Sequence, residues 1–195
     1  MLLQSILFIP AFFAQTKDLL RMLRAGATEW NSWRAANPST QKIYLTGSNL
    51  TGLDLRSIDF AGVQLTCSDM SNADLTGANL CAADLSQCKA VGTTFADANL
   101  SNATLALTDA RAAIFKGANM VQARMMNMRL VGANFTWSDL RGVDFTWSDL
   151  SEADLTGADI AGTVFRKTRT NGMNLCLTKN RKHASFCNLG FARAA

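Results

Sequence analysis

Every fifth residue from Leu45 to Phe165 is large and apolar, and this register never slips. Of the 25 centres in the series, 23 are Leu, Phe, Met or Ile, and the exceptions are Ala90 and Ala110. A small or β-branched residue stands two positions before most centres, and Asp or Asn stands one position before many of them. A period of five fits neither the α-helical repeat of about 3.6 residues nor the alternation of a plain strand. The pattern is an internal repeat, and such a repeat fixes the architecture of a chain.

The repeat requires one turn of the chain in every five-residue unit. The centre and the small residue two before it lie on one side of an extended segment, so both point inward while the residue between them points outward. Because five is odd, the next centre would point outward unless the chain turned a corner. Gly suits a corner of this kind, and it stands two residues after a centre at ten positions between 47 and 162. The residues therefore predict a solenoid whose repeats stack on their neighbours.

Several units carry a family resemblance. Ala-Asp-Leu-Thr-Gly at 73–77, Ala-Asn-Leu-Cys-Ala at 78–82 and Ala-Asp-Ile-Ala-Gly at 158–162 resemble the A(D/N)LXX signature of the pentapeptide-repeat proteins, and the likeness extends over about residues 43–175. The resemblance implies a mainly β fold, a right-handed quadrilateral β-helix of about seven coils with a short N-terminal α-helical cap. Four units per coil would place residue n above residue n−20.

This stacking rule predicts the arrangement of the core. Phe95, Phe115 and Phe135 are twenty residues apart and are expected to form a ladder on one face. Ala90 and Ala110 are expected to stack on the preceding face, where their small volume makes room for the rings in a close-packed core.

The start of the chain divides into two segments. Residues 1–15 are apolar, and they are interpreted either as a strap over the first coil, as an extension outside the fold or as an export signal, although they lack a basic n-region. Residues 16–42 show helical spacing and are predicted to form an N-terminal cap that Gly26 splits in two. Trp30 and Trp33 are predicted to plug the open first coil.

The repeat loses its register at the other end, so we divide residues 43–175 from an irregular, basic C-terminal cap at 176–195. The step from Leu175 to Phe186 is eleven residues, which predicts one extra residue in a bulge around 181–183. Phe186 and Phe191 are predicted either to cap the end or to form a homodimer contact, which the resemblance implies for some family members. Cys176 and Cys187 would clip this segment together in an oxidising environment.

The charge is distributed unevenly along the chain. The net charge is +4, but residues 43–160 hold seven Lys or Arg against thirteen Asp or Glu, whereas residues 161–195 hold seven basic residues and no acid. The basic segment is interpreted as a solvated cap, with contact to nucleic acid or an anionic membrane as the alternative. We expect a cytoplasmic protein, with export as the alternative.

Catalytic chemistry finds no support in the residues. The single histidine, His183, has no carboxylate nearby in the sequence, and the phosphate-binding, dinucleotide-binding and zinc-protease motifs are absent. The acids recur one position before the centres, which indicates a structural slot on the outer wall. We predict no catalytic residue, no cofactor, no metal site and no small-molecule substrate.

Departures from the repeat are the better candidates for function. Arg124 and Arg129 replace the usual acid in consecutive units, and Trp137 and Trp147 occupy corner positions that small or polar residues normally hold. The two tryptophans are two units apart, so they are expected on opposite sides of the solenoid. Each is interpreted either as a partner contact or as a cover over neighbouring units.

The leading hypothesis is a non-enzymatic solenoid that serves as a rigid interaction surface or spacer for an unknown protein partner. The resemblance implies a second hypothesis, a protein that mimics DNA and interacts with DNA gyrase or a topoisomerase. The acidic middle section favours that hypothesis and the positive total charge disfavours it. A third hypothesis is an exported or host-directed protein with a cationic tail.

Overall fold

Two short helices begin the part of the protein that its computed structural model describes. The structure describes residues 18–37 and 42–186, so the apolar segment 1–15, Cys187 and Phe191 lie outside the described residues. Helix α1 covers residues 18–25, and helix α2 runs from Ala27–Ala36. Gly26 separates them with a φ of 112°, which an L side chain rarely adopts. Neither described helix is both long and apolar enough to cross a membrane.

The rest of the described chain winds into a solenoid with twenty residues per coil. Each residue that precedes a centre forms a parallel bridge with the residue twenty positions later, from Tyr44 and Gln64 through to Asp159 and Lys179. Four such columns run along the solenoid, and we number the walls by their outward positions: wall 1 at 44, 64 and on to 164; wall 2 at 49 to 169; wall 3 at 54 to 174; wall 4 at 59 to 179.

The walls differ from the β-strands that the sequence led us to expect. Within residues 42–186 no strand extends beyond an isolated bridge, so the mainly β prediction holds only as single-residue bridges between coils. The reason is the turn, which occupies two of every five residues and leaves too short an extended segment for a continuous strand. The solenoid and its N-terminal helices are otherwise as predicted.

Each corner is a β-turn whose third residue has a positive φ, as in a type II turn. At the first corner, the amide of Ser48 donates to the carbonyl of Leu45 at 3.1 Å, and Gly47 between them has a φ of 67°. Non-glycine residues hold the same position elsewhere, with φ of 62° at Trp137 and 65° at Trp147. These corners keep every centre pointing inward.

The core contains the ladder of rings that the twenty-residue spacing predicts. Phe115 stacks on Phe95 with ring centroids 5.0 Å apart and on Phe135 at 4.8 Å, and all three rings are fully buried. Ala90 and Ala110 are buried in the preceding column. A second ladder was not predicted: it joins Phe145 to Phe165 at 5.6 Å and Phe165 to Phe186 at 4.9 Å.

A column of buried hydroxyl groups also ties the coils together. The hydroxyls of Ser68, Thr108 and Thr168 each donate to the carbonyl of a centre in the coil below, at 2.9, 2.6 and 3.0 Å. The thiol of Cys88 takes the same place, 3.0 Å from the carbonyl oxygen of Leu65. Burial raises the pKa of the Cys88 thiol to about 12, so this cysteine stays protonated.

Helix α2 takes the place of a missing coil at the N-terminal end. The indole Nε1–H of Trp30 donates to the carbonyl of Asp59 at 2.7 Å, and the Asp59 amide donates to Asn31 Oδ1 at 2.8 Å. Trp30 is fully buried with its ring 5.2 Å from Phe60, and Trp33 packs 5.5 Å from Trp30. The helix thereby satisfies edge groups that would otherwise attract a further chain.

The C-terminal end absorbs one extra residue, as the spacing predicts. A 3-10 turn at Arg181–His183 lengthens the last coil, so Val164 bridges to Ser185, twenty-one residues later. Phe186 consequently lies on Phe165, partly buried, at the end of the second ladder.

The Phe ladder generates a stability prediction. Phe115→Ala removes a fully buried ring between two others, and we expect the free energy of unfolding to fall by about 3–5 kcal/mol because a cavity remains. The matched control is Ile114→Ala, which truncates the adjacent outward side chain, 37% exposed, and should cost less than about 1 kcal/mol. Chemical denaturation measures both, and equal losses would contradict the ladder.

Candidate interaction surface

The outward residues of wall 2 form a ladder of alternating charge. Ion pairs join successive coils here: Asp69 with Lys89 at 3.2 Å, Asp109 with Arg129 at 3.1 Å, and Asp149 with Arg169 at 3.5 Å. The cations of these pairs are largely exposed to solvent, so each pair contributes at most about 1 kcal/mol to stability. The more important consequence is that the acids of wall 2 present little net negative charge.

The carboxylates of this ladder are held in their charged form. Hydrogen bonds from Ser71, with help from Lys89, lower the pKa of Asp69 to about 2. Burial acts to raise the pKa of Asp109, but hydrogen bonds from Arg111 and the charge of Arg129 outweigh it and leave the pKa below its usual value. The ladder therefore keeps its alternating charges at neutral pH.

Acids on the other walls serve the turn that follows them. The Oδ1 atom of Asp74 accepts the amide of Thr76 at 2.9 Å, and that of Asp154 accepts the amide of Thr156 at 2.9 Å. Asp139 is also paired with Arg141 at 2.6 Å. This is the structural slot predicted from the sequence, in which a short side chain bonds the backbone two residues later.

The two predicted arginine candidates lie on adjacent walls and differ in their contacts. Arg129 belongs to the ladder of wall 2 and bonds Asp109, so its position in the sequence reflects pairing between coils. Arg124 lies on wall 1, is exposed, and has no carboxylate partner in the described chain. Of these two arginines, only Arg124 therefore offers a charge that no acidic side chain of the described residues neutralises.

Trp137 lies along the corner between walls 3 and 4 and covers the coil that follows. Its side chain is 56% exposed, and a Cβ added to Gly157 would lie 2.5 Å from Trp137 Cε3. The glycine twenty residues later thus makes the space in which the indole rests. The sequence contains this signal as a tryptophan and a glycine twenty residues apart. It can be recognised only once the coil is known to contain twenty residues.

Trp147 lies at the diagonally opposite corner, between walls 1 and 2. It is also 56% exposed, and Lys167 Nζ stands 4.0 Å from its ring centroid, a cation–π contact across one coil. The two tryptophans are therefore on opposite sides, as expected. Each covers a neighbouring unit, as one of the two interpretations expects, and still exposes about half of its surface. The other interpretation, a contact with a partner, stays a prediction.

Each tryptophan corner also carries one exposed leucine, and of the two leucines sequence reasoning missed Leu177. Leu177 shares the corner of Trp137, and Leu107 shares that of Trp147, with 69% and 59% of their areas exposed. Each leucine is forty residues, or two coils, from its tryptophan. The apolar character of the solenoid surface is thus concentrated along two opposite edges.

The described residues contain no group of three or more His, Cys, Asp or Glu side chains that could hold a metal ion.

The family of the chain is identified by its five-residue units, which recur in one register. A family model described as pentapeptide repeats matches eight copies along it, over residues 43–80, 78–117, 95–127 and 129–166. The chain belongs to the pentapeptide-repeat family. No relative of this pentapeptide-repeat protein was found among curated proteins.

Solved structures similar to this pentapeptide-repeat protein come from bacteria and a plant. QnrB1, a plasmid-mediated fluoroquinolone resistance protein, is 18% identical with a TM-score of 0.43, over 73% of this chain and 85% of QnrB1. A pentapeptide repeat protein of the Arabidopsis thaliana thylakoid lumen is 29% identical with a TM-score of 0.34, over 55% and 68%. HetL of Nostoc, involved in heterocyst differentiation regulation, is 21% identical with a TM-score of 0.29, over 80% and 92%. The repeat match carries the family assignment without them.

The contact between the Trp137 indole and Gly157 can be tested by substituting the glycine. Gly157→Ala should cost about 2 kcal/mol, because the methyl group displaces the indole in addition to straining a corner with a φ of 72°. Gly162→Ala is the matched control: its φ is 70°, its Cβ would meet nothing closer than 3.8 Å, and it should cost about 1 kcal/mol.

Chemical denaturation of both variants is repeated in a Trp137→Gly background. There the cost of Gly157→Ala should fall to that of the control, since the indole is gone. An unchanged difference between the two alanine variants would show that Trp137 does not rest on Gly157.

Proposed function

We propose that this pentapeptide-repeat protein is a non-enzymatic, right-handed quadrilateral β-helix of about seven coils that acts as a rigid surface for binding another protein. The observation that carries the proposal is the pair of exposed tryptophans, Trp137 and Trp147, at opposite corners. Both belong to corners with positive φ that the adjoining coils hold in place. A cytoplasmic location, expected from the sequence, stays a prediction.

A fixed, half-exposed tryptophan is suited to partner binding for a physical reason. Binding normally costs the conformational freedom of the side chains that become ordered. Trp137 is already held against Gly157, and Trp147 against Lys167, so little freedom remains to be lost. Tryptophan is also the residue type most often found among the contacts that dominate binding energy.

The charge pattern favours an apolar contact over a mimic of DNA. A DNA mimic needs regularly spaced acids that remain free, whereas the acids of wall 2 pair with Lys89, Arg129 and Arg169. Further pairs engage acids on walls 3 and 4, including Asp54 with Arg56 and Asp139 with Arg141. We therefore do not extend the gyrase hypothesis to this chain.

The test compares corner variants in partner capture from the native source. Trp137→Gly and Trp147→Gly remove one indole each while glycine accommodates the positive φ, and Gln122→Gly makes the same change at another exposed corner, with a φ of 61°. Mass spectrometry identifies the captured partner, and titration then measures its dissociation constant. That constant should rise about thirtyfold or more for one of the two tryptophan variants.

The Gln122→Gly control should bind as the unaltered protein does. Retention of the same partners at the same affinity by both tryptophan variants would contradict the proposed surface. Turnover of a small molecule that is lost on substitution of a single polar side chain would contradict the non-enzymatic role.

A further inference from the structure

The last coil of the solenoid carries an unusual rim of positive charge. We define the basic rim by the cations of residues 166–186, all of them exposed: Arg166, Lys167, Arg169, Lys179, Arg181 and Lys182. The same stretch contains no Asp or Glu. In the preceding coils, by contrast, most cations of the walls are matched to a neighbouring acid. The rim is therefore a local excess of charge at one end of the solenoid.

The charges of the basic rim are mostly unpaired within the chain. Arg169 forms the only ion pair of the rim in the described structure, with Asp149 at 3.5 Å. Lys167 lies over Trp147, and Arg181 lies 6.0 Å from the ring centroid of Phe186. Every Asp and Glu of the sequence falls inside the described ranges, so residues 187–195, which follow the rim, contribute no acidic side chain.

The cations of the rim share one level along the solenoid axis but face different sides. Arg169 bridges Asp149 on wall 2, and Lys179 bridges Asp159 on the opposite wall 4. Arg166 and Lys167 occupy the corner between walls 1 and 2, and Arg181 lies in the turn that leads from wall 4 back to wall 1. A linear polyanion such as nucleic acid, lying along one wall, would reach only part of this set. A flat surface across the end of the solenoid meets all sides at once. The long side chains of the cations that form no ion pair or cation–π contact with the preceding coil can extend toward it, namely those of Arg166, Lys179, Arg181 and Lys182, whereas Lys167 and Arg169 contact the preceding coil.

Apolar groups lie within the same end. Leu177 is 69% exposed at the corner between walls 3 and 4, and Met173, Leu175 and Phe186 are only partly buried where the core ends. Basic side chains around apolar groups match the boundary of an anionic lipid membrane, where phosphates lie beside hydrocarbon. A nucleic acid surface offers the charge without the hydrocarbon.

We propose that the basic rim docks the C-terminal end of the solenoid onto an anionic lipid surface, with the solenoid axis directed away from the membrane. The charge complementarity of the rim and the ring-like placement of its cations commit the site to a planar anionic partner. Docking by the end leaves the corners of Trp137 and Trp147 accessible, so this proposal stands independently of the protein-binding role.

The experiment measures binding of the full chain to lipid vesicles by flotation. Vesicles contain phosphatidylcholine alone or with phosphatidylserine as about a third of the lipid, at about 0.1 M salt. The rim variant combines Arg166→Gln, Lys179→Gln and Lys182→Gln. The matched control combines Lys42→Gln, Lys116→Gln and Arg124→Gln, which removes three exposed cations elsewhere and gives the same net charge.

We expect the unaltered protein to bind only the phosphatidylserine vesicles and to dissociate when salt is raised to about 0.5 M. The rim variant should bind about a hundredfold more weakly, since each cation near the surface contributes about fivefold to partitioning. The control variant should lose less than about threefold. Circular dichroism and melting of both variants check that the fold is retained.

Other outcomes overturn the proposal. Equal losses in the rim and control variants would show attraction by net charge alone. Absence of binding to phosphatidylserine vesicles would exclude a lipid partner. Tighter binding of single-stranded or duplex DNA than of vesicles, lost in the rim variant, would assign the rim to nucleic acid instead.

Discussion

The residue with positive φ at each corner is the constraint on which the rest of the structure depends. Five residues are an odd number, so without a turn the next centre would face solvent and the core would be lost. The corner at Gly47 or Trp137 reverses that parity once per unit. Four corners close a coil of twenty residues, and the closed coil sets every contact between walls. The buried Phe ladders, the hydroxyl column and the charges of wall 2 all follow from that single length.

Much of the fold could be predicted because the repeat has a local physical cause. The inward centres, the ladder of Phe95, Phe115 and Phe135 and the extra residue before Phe186 all follow from counting positions. The break at Gly26 follows from the conformational freedom of glycine. The length of the β-bridged segments could not be predicted. The repeat pattern does not show how many of the five residues in each unit belong to the turn and how many are extended. The hydrogen bonds of Asn31 to the first coil could not be predicted either, since they join a helix outside the repeat to a coil of the repeat.

The surface was harder to predict than the core. Arg129 stood out in the sequence as a departure from its slot, yet it completes an ion pair with Asp109 one coil away. Trp137 and Trp147 stood out in the sequence as departures from the repeat, but their contacts with Gly157 and Lys167 become evident only when residues twenty apart are compared. A residue in such a solenoid is best judged against its neighbours in the coils above and below. By this comparison, two features of the described surface are not fully covered or neutralised by contacts within the chain. They are the exposed parts of the two tryptophans and the unpaired rim cations.

The most direct test of the twenty-residue coil is the stability of two deletion variants. Removal of residues 71–110 takes out two whole coils, joins equivalent positions and places Arg129 next to Asp69, so the alternation of wall 2 survives. Removal of residues 71–105 is smaller by one unit and shifts every later residue by one wall. Chemical denaturation should show that the larger deletion retains the higher free energy of unfolding. A more stable protein after the smaller deletion would contradict a coil of four units.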